Sequence, residues 1–201
     1  DHLWKADGNV TAFAVAGDTA YIGGEFTYIG PASGPLVVVD AGTANRVDSG
    51  LTADGSISAA APDGEGGWYL AGGFTFLNGV PRVGLAHLRS DLTLAPWAPA
   101  VTGVQSMTLD GNTLYIGGAF TVVDGQPRGG LAAFDVTTGD LLDWNPTVLS
   151  GGSTSGEVMT LAVSGSVVYV GGWFDFCGGM ARANIAAVDR ATGLATDWNP
   201  G

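Results

Sequence analysis

The stretch Leu114-Tyr115-Ile116-Gly117-Gly118-Ala119-Phe120-Thr121 decides the fold, because versions of it return three more times. Tyr21-Ile22-Gly23-Gly24-Glu25-Phe26-Thr27, Tyr69-Leu70-Ala71-Gly72-Gly73-Phe74-Thr75 and Tyr169-Val170-Gly171-Gly172-Trp173-Phe174-Asp175 are the other copies. Read by the second glycine of each pair, at 24, 73, 118 and 172, they step by 49, 45 and 54 residues, a spacing at which self-similarity signals a repeat architecture. A unit of this size cannot bury a sheet face alone, so residues 1–201 read as one domain, or a segment of one, built from repeats at approximately 9–53, 54–100, 101–146 and 147–201.

The third unit gives the plan most clearly. Val104 to Leu109 alternates and meets the hairpin signal Asp110-Gly111-Asn112, which makes it strand a. Strand b is read as Thr113 to Val123, ending at Asp124-Gly125-Gln126-Pro127. Strand c runs from Arg128 to Asp135, and strand d from Asp140 to Trp144, closed by Asn145-Pro146. A strand apolar on both faces must be covered on both, and with no helical periodicity the cover can only be other sheets. The Gly-Gly pair would weaken a strand unless something approaches it closely, so the glycines are read as packing residues, with the Trp of the same unit filling the space. The alternative is a β-bulge with no packing partner.

The other units keep the plan with departures. Unit two carries Pro62-Asp63-Gly64-Glu65-Gly66-Gly67 as an enlarged a–b hairpin, and a Gly/Ser insertion, 149–156, precedes strand a of unit four. In unit one Gly34 stands where the others have Arg, and Ser49 where Trp is expected. Trp4-Lys5-Ala6 looks like the close of a preceding unit, and Trp4 has no counterpart to match it. Four closed blades, two chains sharing one ring, or a segment of a longer ring all remain open. The sequence opens at Asp1 and is expected to be a mature product or part of a longer protein.

Composition narrows the function classes. The 34 glycines and nine prolines mark many tight turns, and 46% hydrophobic with 13% charged residues excludes disorder. A net charge of −12, from 19 acidic and 7 basic residues, argues against nucleic acid or an anionic membrane as partner. No apolar run reaches the roughly 20 residues of a spanning helix, so no membrane insertion is expected. The single cysteine, Cys177, excludes an intrachain disulfide.

The string Tyr-Ile-Gly-Gly-x-Phe-Thr, then Asp-Gly-x-Pro-Arg-x-x-Leu-Ala-Ala-Phe-Asp, Thr-Gly and Trp-Asn-Pro, resembles the kelch-like repeats of β-propellers. It looks still more like the Gly-Gly-Phe, delta-sixty-type repeats of secreted bacterial proteins. The resemblance covers almost the whole chain. It implies an all-β propeller of four-stranded antiparallel blades at the cell surface or outside the cell, acting as a structural, adhesion or ligand-recognition module without catalytic residues in the repeat. The alternative is a polysaccharide lyase or hydrolase with its site on the Arg-bearing face.

Among candidate residues, Arg82, Arg128 and Arg182 fall on the face that also carries Asn145 and Asn199, where planar guanidinium groups suit a carboxylate or sugar. The bland reading pairs each arginine with backbone or acid for packing. Trp97, Trp144 and Trp198 are read as buried wedges, whereas Trp173, in the slot of Glu25 and Ala119, is expected exposed and ligand-binding. Cys177 aligns with apolar positions and is expected to be a buried hydrophobe. His2 and His87 with one thiol form no nucleophilic or metal constellation. Asp63-Gly64-Glu65 weakly suggests calcium without matching an EF-hand loop. No cofactor, metal or catalytic residue is expected; a glycan or protein ligand, self-association or further repeats are the expected partners.

Overall fold

The structure, a computed structural model, describes residues 6–27, 29, 35–43, 45–47, 50–151 and 154–200. His2, Trp4, Lys5, Gly34, Ser49, Gly152 and Ser153, with the readings placed on them, lie outside these residues. The described residues are all β, with no helix. The chain divides into two compact units, 1–102 and 103–201, each holding two repeats.

In the first unit, repeat one contributes β1 (Asn9–Ala16), β2 (Thr19–Glu25), β3 (Leu36–Asp40) and β4 (Arg46–Val47), an antiparallel sheet in that order. Repeat two contributes β5 (Ile57–Pro62), β6 (Trp68–Gly72) and β9 (Leu85–Leu88) as a sheet, with a separate hairpin of β7 (Phe76–Leu77) and β8 (Val80–Pro81). The second unit repeats the arrangement. β10 (Val104–Asp110), β11 (Thr113–Gly118) and β14 (Leu131–Asp135) form one sheet, and β12 (Val122–Val123) and β13 (Gln126–Pro127) its hairpin. Before the last sheet come β15 (Val148–Ser150) and β16 (Thr154–Ser155). β17 (Glu157–Ser164), β18 (Val167–Trp173) and β21 (Ile185–Asp189) form the sheet of repeat four, while its hairpin, β19 (Phe176–Cys177) and β20 (Met180–Ala181), pairs through β19 with β15 in a second sheet of order β16-β15-β19-β20.

Three readings of the strands need correction. Strand b ends at the glycine pair in β11; Val122-Val123 turns out into a hairpin with Gln126-Pro127. The cause is the turn dipeptide: Asp124-Gly125, like Asn78-Gly79 and Gly178-Gly179, holds two successive residues at positive φ, the geometry of a two-residue hairpin loop. Strand c consequently starts at Leu131, and Arg128 lies before it. Strand d shrinks to single bridges, Leu88 to Leu94, Phe134 to Leu141 and Val188 to Ala195, so among the described residues only repeat one shows a fourth strand longer than a bridge.

The glycine pair does two jobs. In each repeat strand a carries a bulge: the register slips between Val10 and Ala12, Ile57 and Ala59, Val104 and Ser106, and Val158 and Thr160. Opposite these slips stand Gly24, Gly72, Gly118 and Gly172, and a Cβ on any of them would land on the carbonyl oxygen of Asn9, Ser56, Gly103 or Glu157. The equivalent of Gly118 in repeat two is therefore Gly72, not Gly73, and Ala71 takes the place of the first glycine.

The first glycine faces the next repeat. A Cβ on Gly23 would meet Ile57 at 2.7 Å, and one on Gly117 would meet Val158 at 2.5 Å and Leu161 at 3.3 Å. Strand a of the following repeat, with its β-branched residue, presses into that gap; the tryptophan does not. Around these contacts two core clusters form, beside a further one of Ala20, Phe26, Ile29, Val37 and Val39 in repeat one. Tyr21, Leu36 and Val38 of repeat one pack with Ile57, Leu70, Trp68 and Leu88 of repeat two. Tyr115, Leu131 and Ala133 of repeat three pack with Val158, Val168, Val170 and Val188 of repeat four.

Candidate functional site

The three arginines are buried, at 9%, 7% and 8% exposure for Arg82, Arg128 and Arg182. Each donates from Nη1 to the carbonyl of the preceding residue, Pro81 (2.7 Å), Pro127 (2.8 Å) or Ala181 (2.8 Å). Each donates from Nη2 to a carbonyl in the reduced strand d of its own repeat, Ala95 (2.7 Å), Leu142 (2.9 Å) or Thr196 (2.7 Å). A strand with a single bridge leaves carbonyls without ladder partners, and a guanidinium reaching under it supplies the donor. Nε is left buried and unpartnered in all three, the remaining cost of the clamp.

The closing tryptophans stand edge-on to the tyrosine of their own strand b. Ring centroids are 5.5 Å apart for Tyr69 and Trp97, 5.1 Å for Tyr115 and Trp144, and 5.4 Å for Tyr169 and Trp198, all near perpendicular, a favoured aromatic geometry. Trp144 is buried and donates from Nε1 to the Asp189 carbonyl of repeat four, at 3.2 Å. Trp198 and Trp97 depart from the buried wedges expected: Trp198 is 41% exposed and Trp97 partly so. Arg190 of repeat four adds to the same seam: Nε donates to Tyr115 Oη (3.0 Å), and Nη1 pairs with Asp110 at 2.5 Å. Asn145 and Asn199 are exposed, and the Asn145 carbonyl accepts from the Thr147 amide at 2.9 Å.

The position after the bulge glycine is exposed in every repeat: Glu25, Gly73, Ala119 and Trp173. The next residue is always a buried phenylalanine, at 26, 74, 120 and 174. Backbone on one side and a core ring on the other fix where the slot's side chain is displayed, while its identity varies freely. Trp173 is 66% exposed. Glu25 lines a groove of about 370 Å³ with Phe26, Thr27, Pro35, Ala53 and Ser56, at the seam of repeats one and two. That volume is within the range that holds a small ligand. Nothing in the sequence singles out this glutamate, since one acid in a Gly-rich strand carries no signal until the neighbouring repeat supplies a wall.

Nothing in the sequence spacing pairs Asp63 with His87, yet His87 Nε2 hydrogen-bonds Asp63 Oδ2 at 2.8 Å. Burial raises the Asp63 carboxyl, but the bonds from His87 and the Glu65 and Gly67 amides outweigh it and hold the group below its ordinary range. His87 also stacks on Tyr69, whose hydroxyl burial and the nearby Asp63 and Glu65 charges push to about 12. Asp63 is thus committed to protein donors, in a loop read as a weak calcium suggestion. Among the described residues no group of three or more His, Cys, Asp or Glu side chains is placed to hold a metal ion. Cys177 is buried, and burial pushes its thiol to about 12.

No family model and no curated protein matches the chain. Among solved structures it is similar to the extracellular domain of BT4673 of B. thetaiotaomicron, a protein designated a one component or hybrid two component system. Two structures of that domain give TM-scores of 0.59 and 0.60 at 15% identity. The likeness covers 97% of this chain and 22% of theirs, so the chain spans about a fifth of that domain. It is also similar to the computationally designed Ika8 protein at 16% identity and a TM-score of 0.47, spanning 49% of its length. At these identities the likeness concerns the fold alone. Among the described residues no helix is long and apolar enough to cross a membrane.

Proposed function

We propose that the four repeats are blades of a β-propeller, kelch-like or delta-sixty in type, which acts outside the cell as a non-enzymatic recognition module for a glycan or protein. The observation that carries this reading is the division of labour between recurring and variable positions, the bulge glycine recurring in all four repeats and the arginine and tryptophan in repeats two to four. Residues that recur, the bulge glycine, the arginine and the tryptophan, are spent on carbonyls, on packing and on tyrosine rings. The slot after the bulge glycine is exposed and differs in every copy, with a carboxylate in one and an indole in another. A scaffold that holds its backbone constant and varies one displayed position suits recognition, because rigid elements present the contact at little entropic cost. The similarity to an extracellular domain supports the location.

The test is binding of the 201-residue chain to arrays of acidic and neutral glycans and of surface proteins, followed by titration of Trp173→Ala and Glu25→Ala. Loss of affinity of about tenfold or more in either variant, with unchanged near-UV circular dichroism, supports the reading. Turnover of a polysaccharide that survives both substitutions would replace it with an enzyme.

A further inference from the structure

Each unit contains one complete seam between consecutive repeats, built in the same way. Strand a of the later repeat lies against strands a and b of the earlier one, β5 on β1 and β2, β17 on β10 and β11. Its β-branched residue fills the gap over the first glycine, Ile57 over Gly23 and Val158 over Gly117. The residue extruded at the earlier repeat's bulge reaches across: Thr11 Oγ1 donates to the Ile57 carbonyl at 2.7 Å, and Gln105 Nε2 donates to Glu157.

Half of the same seam is present and exposed on repeat four and on repeat one. On repeat four the equivalents of the receiving face are Gly171, Tyr169 and Ile185, with Thr160 and Ala162 beside them, and they line an open groove of about 120 Å³. Tyr169, Ile185 and the bulge residue Met159 are 36%, 39% and 47% exposed. On repeat one the equivalents of Val158, Leu161 and Val163 are Val10, Phe13 and Val15, exposed at 49%, 63% and 49%. An exposed Phe flanked by two valines on one strand is costly in water, and the groove over Gly171 has the shape its internal counterpart has before Val158 fills it.

We infer that this groove receives strand β1 of a second copy of the chain, with Val10 seated over Gly171 and Phe13 and Val15 along Tyr169 and Ile185. The occupant is identified by matching faces: the internal seams show what fits this groove, and the chain carries that counterpart, uncovered, on β1. The contact is head-to-tail, since donor and acceptor faces differ, so copies add in series or close into a ring, and neither face pairs with its own copy. No side chain named at either face carries a charge at neutral pH, while the chain as a whole carries −12, so added salt strengthens association by screening that repulsion.

Sedimentation of the 201-residue chain over a range of concentrations tests this, with Phe13→Asp blocking one face and Ile185→Glu the other; both positions are exposed. The expected result is concentration-dependent growth of the wild-type species, promoted by salt. Each variant alone should lose at least about tenfold in association. Mixed in equal amounts, the variants should form a dimer and nothing larger, because each supplies the face the other lacks. Should either substitution disturb near-UV circular dichroism, Val10→Asp and Met159→Glu replace them. A wild-type chain that stays monomeric throughout, a single variant that still dimerises, or a mixture that does not associate would each overturn the inference.

Discussion

At the scale of the residue, the two glycines of each pair make separable predictions. Gly118→Ala drives a methyl group into the Gly103 carbonyl, which belongs to the same sheet and cannot retreat without breaking the bulge. It should destabilise the chain by about 2–4 kcal/mol, whereas Gly111→Ala, at φ +57 with open space around it, should cost about 1 kcal/mol for backbone strain alone. Urea unfolding of both variants checks the ratio. Cys177 should ignore thiol reagents in the native chain and react on unfolding, since its proton is held by burial to about pH 12. A cysteine that labels at native rates in neutral buffer would contradict its place in the core.

At the scale of the element, turns are held by aspartates. Asp40, Asp91 and Asp189 accept from the side chains and amides of Thr43, Thr93 and Thr192, and Asp54 from Thr75 and Phe76. These bonds lower all four carboxyls from 3.8. A depressed native pKa means the contribution is complete above the unfolded value and is lost as pH falls through the native one. Thermal melting should therefore hold steady down to about pH 4 and drop below it, with a shallower acid limb in Asp54→Asn. The arginine clamps make a further test: Arg128→Met removes the donor under Leu142 and should cost about 1–3 kcal/mol, more than an exposed charge ever does.

The same scale explains what the sequence disclosed. Four in-phase copies announced repeats, sheets and turns, and the apolar alignment of Cys177 placed it inside. The bulge hid because Val158 and Leu161, three apart, share a face only through the extra residue between them, a spacing no alternating strand shows. The arginine clamp hid for a related reason. A guanidinium serving backbone carbonyls leaves no partner residue type to find, and strand d looked like a strand until its ladder proved one bridge long. The displayed slot was half legible: Trp173 stood out by size, while Glu25 acquired meaning only from the groove wall.

At the scale of the whole molecule, tryptophans report how far each seam is completed. Trp144, locked between Tyr115 and the Asp189 carbonyl, should cost about 3–5 kcal/mol on replacement by alanine, and Trp198, 41% exposed, markedly less. Comparing their denaturation midpoints measures the covering that a following repeat provides. The bulge has a consequence for how such a molecule grows. Because every copy resets the alternation of its own first strand, a gene can be cut and rejoined at any two matching glycine codons and still specify sheets with their inner and outer sides intact. Equivalent glycines at 24, 72, 118 and 172 are 48, 46 and 54 residues apart, so length differences are absorbed in the connecting segments. Unequal crossing-over could thus add or remove whole modules, making module number the cheapest trait for evolution to change.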